Sequence, residues 1–386
     1  MEIKPGFTQT EEVVIPRDWV LKRVSDIAIT VASGKSRVDT KFSEYPVYGS
    51  TGIIGWSIKS DYSGKSILVA RVGVNAGKLN VVDGAYGVTD NTIIVRIDES
   101  CDLDFFWRQL EAKHLNSMVF GSGQPLITGT QIKNLLMSLP PTKEEQEAIA
   151  TALISADALI ESLEKLIAKK RLIKQGTMQE LLTGKKRLPG LDGKWESRPL
   201  RKFVRQFIVP MRDKPKHFTG NIPWCRIEDF DGIYLTGSKS GQCVDIDTVH
   251  SMNLKVYPTG TLLVSCSADL GRCAIVTRPL VSNQTFIGLV MDDATSSNLF
   301  FYYFMTSLAE DLNNMSSGTT ISYLSREQFE EYIVSVPVDK EEQVAIAMIL
   351  FDMDSEITML GTRLDKVRQL KLGMMQELLT GRIRLV

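Results

Sequence analysis

The word MQELLTG begins at Met178 and again at Met375, and the 197-residue offset between the two copies holds without a gap over a long stretch. Lys143–Leu188 and Lys340–Leu385 share 24 identities in 46 aligned positions. This is an internal duplication, and its unit is far longer than the repeats of solenoids or propellers. Any fold for the chain must therefore accommodate two equivalent copies of a domain-plus-helix unit.

Within each copy the pattern predicts one long helix. Pro140 and Pro337 precede it, and Thr142…Glu145 and Asp339…Glu342 have the spacing of an N-terminal capping box. Apolar residues then recur in four-three steps. They are Ile149, Leu153, Ala156, Ile160, Leu163 and Ile167 in the first copy, and Ile346, Leu350, Met353, Ile357, Leu360, Leu364 and Val367 in the second. That period is a coiled-coil seam. Gly184 and Gly381 are the expected stops, while Gly176 and Gly373 fall inside the helical pattern and read either as a local break or as a site of close approach by another helix or a partner.

Charge gives the direction of pairing. Lys143–Glu164 holds six acids and one base, and Lys165–Arg187 holds eight bases and one acid. Asp339–Thr362 repeats the first balance with six and one, and Arg363–Val386 the second with six bases and two acids. An antiparallel pair sets each acidic start beside the other's basic end, with the helix dipoles in agreement. The sequence thus predicts an α+β protein in which two globular domains are joined by two long antiparallel coiled-coil helices. The expected divisions are 1–140, 141–189, 190–337 and 338–386, with an internal pseudo-twofold relation.

Both globular segments open on a similar phrase, at Trp19 and at Trp195, and both close on a Gly/Ser/Thr-rich loop and a proline. Short β-like runs lie between, including Ser66–Ala70, Thr92–Ile97, Thr261–Ser265 and Thr285–Met291. The tryptophans are 176 apart and the helix starts 197 apart, so the second segment carries 21 extra residues. A constant frame with divergent end-domains is the pattern of a scaffold carrying two different readers.

Tests for catalysis are negative. Gly34-Lys35-Ser36 and Gly64-Lys65-Ser66 lack the earlier glycine of a phosphate loop, with Ile29 and Lys59 in its place. The only Pro-Pro pair, Pro140-Pro141, lacks the flanks of an amino-methyltransferase loop, and no HExxH, GxSxG or nuclease carboxylate cluster occurs. Five cysteines without CxxC spacing and three scattered histidines predict reduced buried thiols and no zinc site. The N-terminal MEIKPGFTQTEEVV has no leader-like apolar region, no run approaches a membrane span, and a cytoplasmic protein is expected.

The net charge of −1 means that any nucleic-acid role must rest on local charge. In the first segment Lys35 and Arg37 follow a Ser-Gly turn, Tyr48 and Ser50 lie in a small-residue loop, and Arg71 and Lys78 flank Val-Gly-Val-Asn-Ala-Gly. The second opens on a basic stretch that includes Arg198, Arg201, Lys202, Arg205, Arg212, Lys214 and Lys216, and offers Arg226, Ser267 and Arg272 as counterparts. The closing loops add Ser122 and Gln124, and Thr319 and Thr320. Arginines and hydroxyl or amide side chains on glycine-bearing loops suit phosphate and groove contacts.

Taken together, the Trp-led openings, YPVYGSTGIIG (45–55), NIPWCRIEDF (221–230), the proline–Lys-Glu-Glu-Gln helix starts and the Gln-Glu-Leu-Leu-Thr-Gly endings resemble the specificity subunits of type I restriction-modification systems. The resemblance covers essentially the whole chain. It implies two target-recognition domains, each reading one half of a split, asymmetric double-stranded DNA target, with the helices as a ruler between the halves. One added helical turn would move the half-sites apart by about 5.4 Å. It further implies a non-catalytic subunit that binds no cofactor itself. Two methyltransferase subunits carrying S-adenosylmethionine, and nuclease-motor subunits using ATP and Mg, would be its partners. The alternatives are a coiled-coil adaptor that does not read DNA, and a stand-alone modification enzyme.

Overall fold

A computed structural model describes residues 6–10, 14–39, 44–120, 125–210, 214–266, 269–315 and 325–385. The chain divides into two compact units, Met1–Glu164 with Thr362–Val386, and Lys165–Gly361. The cut falls inside the two long helices, Lys143–Leu181 and Lys340–Leu378, so each unit pairs the start of one with the end of the other.

Among the described residues the two units share a plan of three sheets, and the first adds a small antiparallel sheet of Phe7–Gln9 with Val14–Pro16. In the first, an antiparallel sheet runs in the order Ala28–Ser33, Thr92–Ile97, Ser66–Ala70, Leu79–Val82. A second sheet is built around the parallel pair Tyr45–Gly49 and Ala85–Val88, and a two-stranded ribbon joins Val20–Arg23 to Leu136–Leu139. The second unit repeats this with Val204–Ile208, Phe286–Met291, Leu262–Ser265 and Cys273–Val276, adding Tyr234–Leu235 at the edge. Ile222–Cys225 pairs in parallel with Val281–Ser282, and Trp195–Pro199 pairs with Ile333–Pro337. Ser66–Ala70 and Phe286–Met291 are buried at every position, as continuous β-branched and aliphatic runs predict for strands covered on both faces.

The helix pairing is antiparallel within each unit. In the first, Glu164 pairs with Arg368 at 2.6 Å and Asp157 with Lys371 at 2.8 Å, so one number falls as the other rises. In the second, Lys170 pairs with Glu356 at 2.7 Å and Lys174 with Asp354 at 2.5 Å. The acidic starts do meet the basic ends. Of the seam residues Ile149, Leu153, Ala156, Leu163 and Ile167 are buried, as are Ile346, Leu350, Leu364 and Val367.

Two expectations change. The helices run unbroken through Gly176 and Gly373, and a Cβ at either would meet nothing within 4 Å, so neither a break nor a tight helix approach is found there among the described residues. The capping boxes also do not form. Thr142 accepts from the Glu145 amide at 3.3 Å, and Asp339 from the Glu341 amide at 2.8 Å, but the Glu145 and Glu342 carboxylates turn away to stronger partners.

Those partners explain the repeated words. Glu145, 1% exposed, is gripped by the Arg384 guanidinium through Nε and Nη2, and Arg384 also reaches Asp18. Glu342, equally buried, takes Nε and Nη2 of Arg187 at 2.8 Å each and the Trp195 indole N–H at 3.2 Å. The neighbouring glutamines act alike: Gln146 Oε1 accepts from the Asp102 amide at 2.8 Å and Gln343 Oε1 from the Ser297 amide at 2.9 Å. Asp102 and Ser297 are the N-caps of the domain helices Leu103–Ala112 and Asn298–Ser307. The stop glycines have φ of +70° at Gly184 and +68° at Gly381, and a Cβ there would press on Trp195 and on Pro16 and Trp19 respectively. Each Lys-Glu-Glu-Gln, each Thr-Gly…Arg and each tryptophan is one strand of the same knot, tied once per unit.

Candidate nucleic-acid interface

In the first unit, loops far apart in sequence converge on the turn between Val88 and Thr92. Gly34 N–H donates to Thr92 O at 3.0 Å and Ser36 N–H to Val88 O at 2.8 Å, which pins the segment carrying Lys35 and Arg37. Thr89 N–H donates to Tyr48 O at 3.0 Å, Ser50 Oγ to Asn91 O at 2.6 Å, and Arg71 N–H to Asn91 O at 2.9 Å. A residue larger than glycine at 34 would clash with Val88 O, which is why Ser-Gly-Lys occurs here. Lys78 closes the loop that starts at Arg71, its carbonyl accepting from Ala70 N–H at 2.8 Å. Lys35, Arg37, Tyr48, Ser50, Arg71 and Lys78 are therefore brought to one loop cluster.

The second unit places its residues by the same plan. Lys214 and Lys216 lie between Val204–Ile208 and Ile222–Cys225, the connection that carries Lys35 and Arg37 in the first unit. Arg226 follows the parallel strand as Gly49 follows Tyr48. Arg272 follows a positive-φ glycine and accepts from Ser265 N–H through its carbonyl at 2.8 Å, as Lys78 does from Ala70. Ser122, Gln124, Arg212, Ser267, Thr319 and Thr320 lie outside the described residues.

The cations divide into two groups. Lys35, Arg37, Lys78, Lys214 and Lys216 are exposed, and their side chains have no ion pair or hydrogen bond among the described residues. The other arginines hold loops in place. Arg71 Nη1 donates to Ser33 Oγ and Asp90 O at 3.3 Å each, and Arg226 Nη2 to Gln242 Oε1 at 2.5 Å. Arg272 Nη2 donates to Phe230 O at 2.8 Å. In the basic opening of the second segment, Arg198 pairs with Glu196 and Arg201 with Glu331, whose carboxyls both sit below the usual range through these neighbours and, for Glu196, first through Lys194.

Beside the first unit's turn lies a cavity of about 210 Å³ lined in part by Ser50, Lys78, Asn80 and Thr92. Sequence reading passed over Thr92 because it opens a β-like run, where period and propensity mark only a strand; Asn80 lies in the four-residue strand Leu79–Val82, too short to stand out by pattern. Burial pushes the Cys101, Cys225 and Cys266 thiols up to about 12, which leaves them protonated and poorly nucleophilic. Among the described residues no group of three His, Cys, Asp or Glu side chains could hold a metal ion, and no helix is long and apolar enough to cross a membrane.

The pattern of the type I restriction modification DNA specificity domain matches residues 16–170 and 209–369, once in each half. The putative type I restriction enzyme MjaX specificity subunit of Methanocaldococcus jannaschii is 24% identical over 98% of this chain and 97% of its own length. The MjaIX specificity subunit of the same organism is 29% identical over 37% of this chain, an alignment spanning about a third (34%) of that protein. Among solved structures, the type I restriction-modification S subunit from M. genitalium superposes with a TM-score of 0.63 at 17% identity, covering 97% of this chain and 98% of that one. With the family pattern matched in both halves, on two domains that share three corresponding sheets, this chain belongs to the type I restriction-modification DNA specificity family.

Proposed function

We propose that this chain is the DNA-reading subunit of a type I restriction-modification complex, each unit's loop cluster reading one half of a two-part, asymmetric target. The observation that carries this reading is the combination of one knot, tied alike in both units, with loop clusters that differ. The frame repeats Glu145 and Glu342, Gln146 and Gln343, Arg384 and Arg187, whereas the loops oppose Gly49 to Arg226 and Lys78 to Arg272. Five unpaired exposed cations at the clusters suit phosphate contact.

The chain itself is read as non-catalytic and cytoplasmic. Two methyltransferase subunits, carrying S-adenosylmethionine, dock on the helices, and nuclease-motor subunits supply ATP- and Mg-dependent restriction. Docking is supported by helix side chains that stay exposed after pairing: Leu370 (61%) in the first unit, and Leu172 (69%) and Met359 (66%) in the second. The test is a map of methylated adenines in DNA from cells carrying the chain with its methyltransferase partner, with and without this chain. A single two-part motif with a fixed gap, present only with the chain, is the expected result. Unchanged methylation in an assembled complex would leave the adaptor reading instead.

A further inference from the structure

The cavity beside the Val88–Thr92 turn has an apolar floor and a polar rim: Leu68 and Ala70 below, and Ser50, Lys78 and Asn80 around it. Its volume of about 210 Å³ holds roughly seven waters at ~30 Å³ each. That is below the ~300–1,000 Å³ of ordinary small-molecule sites, but enough for the ring of one nucleobase. Thr92 lines it, is 1% exposed, and its Oγ1 has no hydrogen-bond partner among the described residues. Buried hydroxyls in folded proteins nearly always have one. Rotation about the Thr92 Cα–Cβ bond carries the hydroxyl to another staggered position, so the orphaned group has a route to a guest.

Sheet register locates the same place in the second unit. Thr92 pairs with Ala70 and Phe286 with Ser265, and Ala70 and Ser265 are equated by their bonds to the Lys78 and Arg272 carbonyls. Where the first unit has a hydroxyl and a space, the second has a fully buried phenyl ring stacked on Phe230 at 4.9 Å. The two domains differ here in chemistry and not only in surface charge.

We propose that this cavity is a base-reading pocket of the first domain. It receives the edge of one nucleobase of that domain's half-site, Thr92 Oγ1 and the Asn80 amide bond its polar atoms, Leu68 and Ala70 pack against the carbon atoms of that edge, and Lys78 faces a phosphate. The inference rests on the reading of the chain as a DNA specificity subunit and names its specificity-determining residue.

The test uses the full chain assembled with its methyltransferase subunits. Wild type, Thr92→Val and Thr92→Phe are compared by mapping methylated adenines and by competition binding with duplexes substituted at each position, at fixed salt. Thr92→Val removes a hydroxyl that has no protein partner, so thermal stability is unchanged or raised. It should lose discrimination on the order of tenfold at one position of one half-site, while the other half-site and the gap stay the same. Thr92→Phe, which copies the second unit, should abolish preference at that same position. Folded, assembled complexes of both variants that read the full wild-type motif overturn the pocket. A wild-type complex with no sequence-dependent methylation overturns the specificity-subunit reading, and the pocket with it.

Discussion

Replacing Arg384 with alanine tests the knot. The change strands Glu145, whose side chain is 1% exposed and whose two oxygens both accept from that guanidinium. Removing one partner of a buried pair costs about 3–5 kcal/mol when the survivor stays charged. Arg384 keeps 32% of its side chain in water and is partly solvated already, so a loss of about 2–4 kcal/mol is expected. One consequence separates this account from a packing defect: adding Glu145→Gln should recover most of the R384A deficit, because it removes the stranded charge. Urea unfolding followed by tryptophan fluorescence reads it, because Trp19 lies against Arg384, with the guanidinium carbon 5.9 Å from the ring centroid. A loss below about 0.5 kcal/mol, or one indifferent to Glu145→Gln, refutes the reasoning. Arg187→Ala should cost less, since the Trp195 indole still donates to Glu342.

Other outcomes follow from single features. Gly176→Ala and Gly373→Ala should each raise stability by about 1 kcal/mol in thermal unfolding, because a Cβ there meets nothing; a variant that is more stable yet no longer assembles would place a partner on that glycine. Asp157→Ala leaves Arg108, 2% exposed, with Glu111 as its remaining acid, and should cost about 2 kcal/mol in urea unfolding after allowance for the exposure of Asp157. Stability should fall on the alkaline side. The unfolded thiols ionise near 9 while Cys101, Cys225 and Cys266 hold their protons to about 12, so the unfolded state loses protons first across that window. Lys78→Ala should weaken DNA binding evenly across sequences and lower the salt slope by about 0.9.

The helices were almost wholly legible because duplication, heptad spacing and charge blocks are carried by many residues at once. Their direction and the stops at Gly184 and Gly381 follow from that redundancy. The Lys-Glu-Glu-Gln motif was visible but its chemistry was not. Helix-start spacing suggested a cap for Glu145, while its real partner, Arg384, lies 239 residues away. No local rule reports such a distance. The loop clusters were legible as chemistry and not as geometry: Arg71, Arg226 and Arg272 resemble Lys35 and Lys78 in sequence, yet their side chains bond to Asp90, Gln242 and Phe230. Thr92 carried no signal, since a threonine opening a β-branched strand is ordinary until its hydroxyl proves partnerless.

The division of the chain sets an order of events during synthesis. The second unit is contiguous, Lys165–Gly361, and can bury its core, Leu181 and Leu182 included, once that stretch has emerged. The first unit cannot. Its core includes Leu378 and Leu379, and its knot includes Arg384, so it must wait for residues that follow the whole of the second unit. Domains usually mature from the N-terminus onward; here, of the two units, the one begun first is completed second, and its waiting period spans the making of all the other.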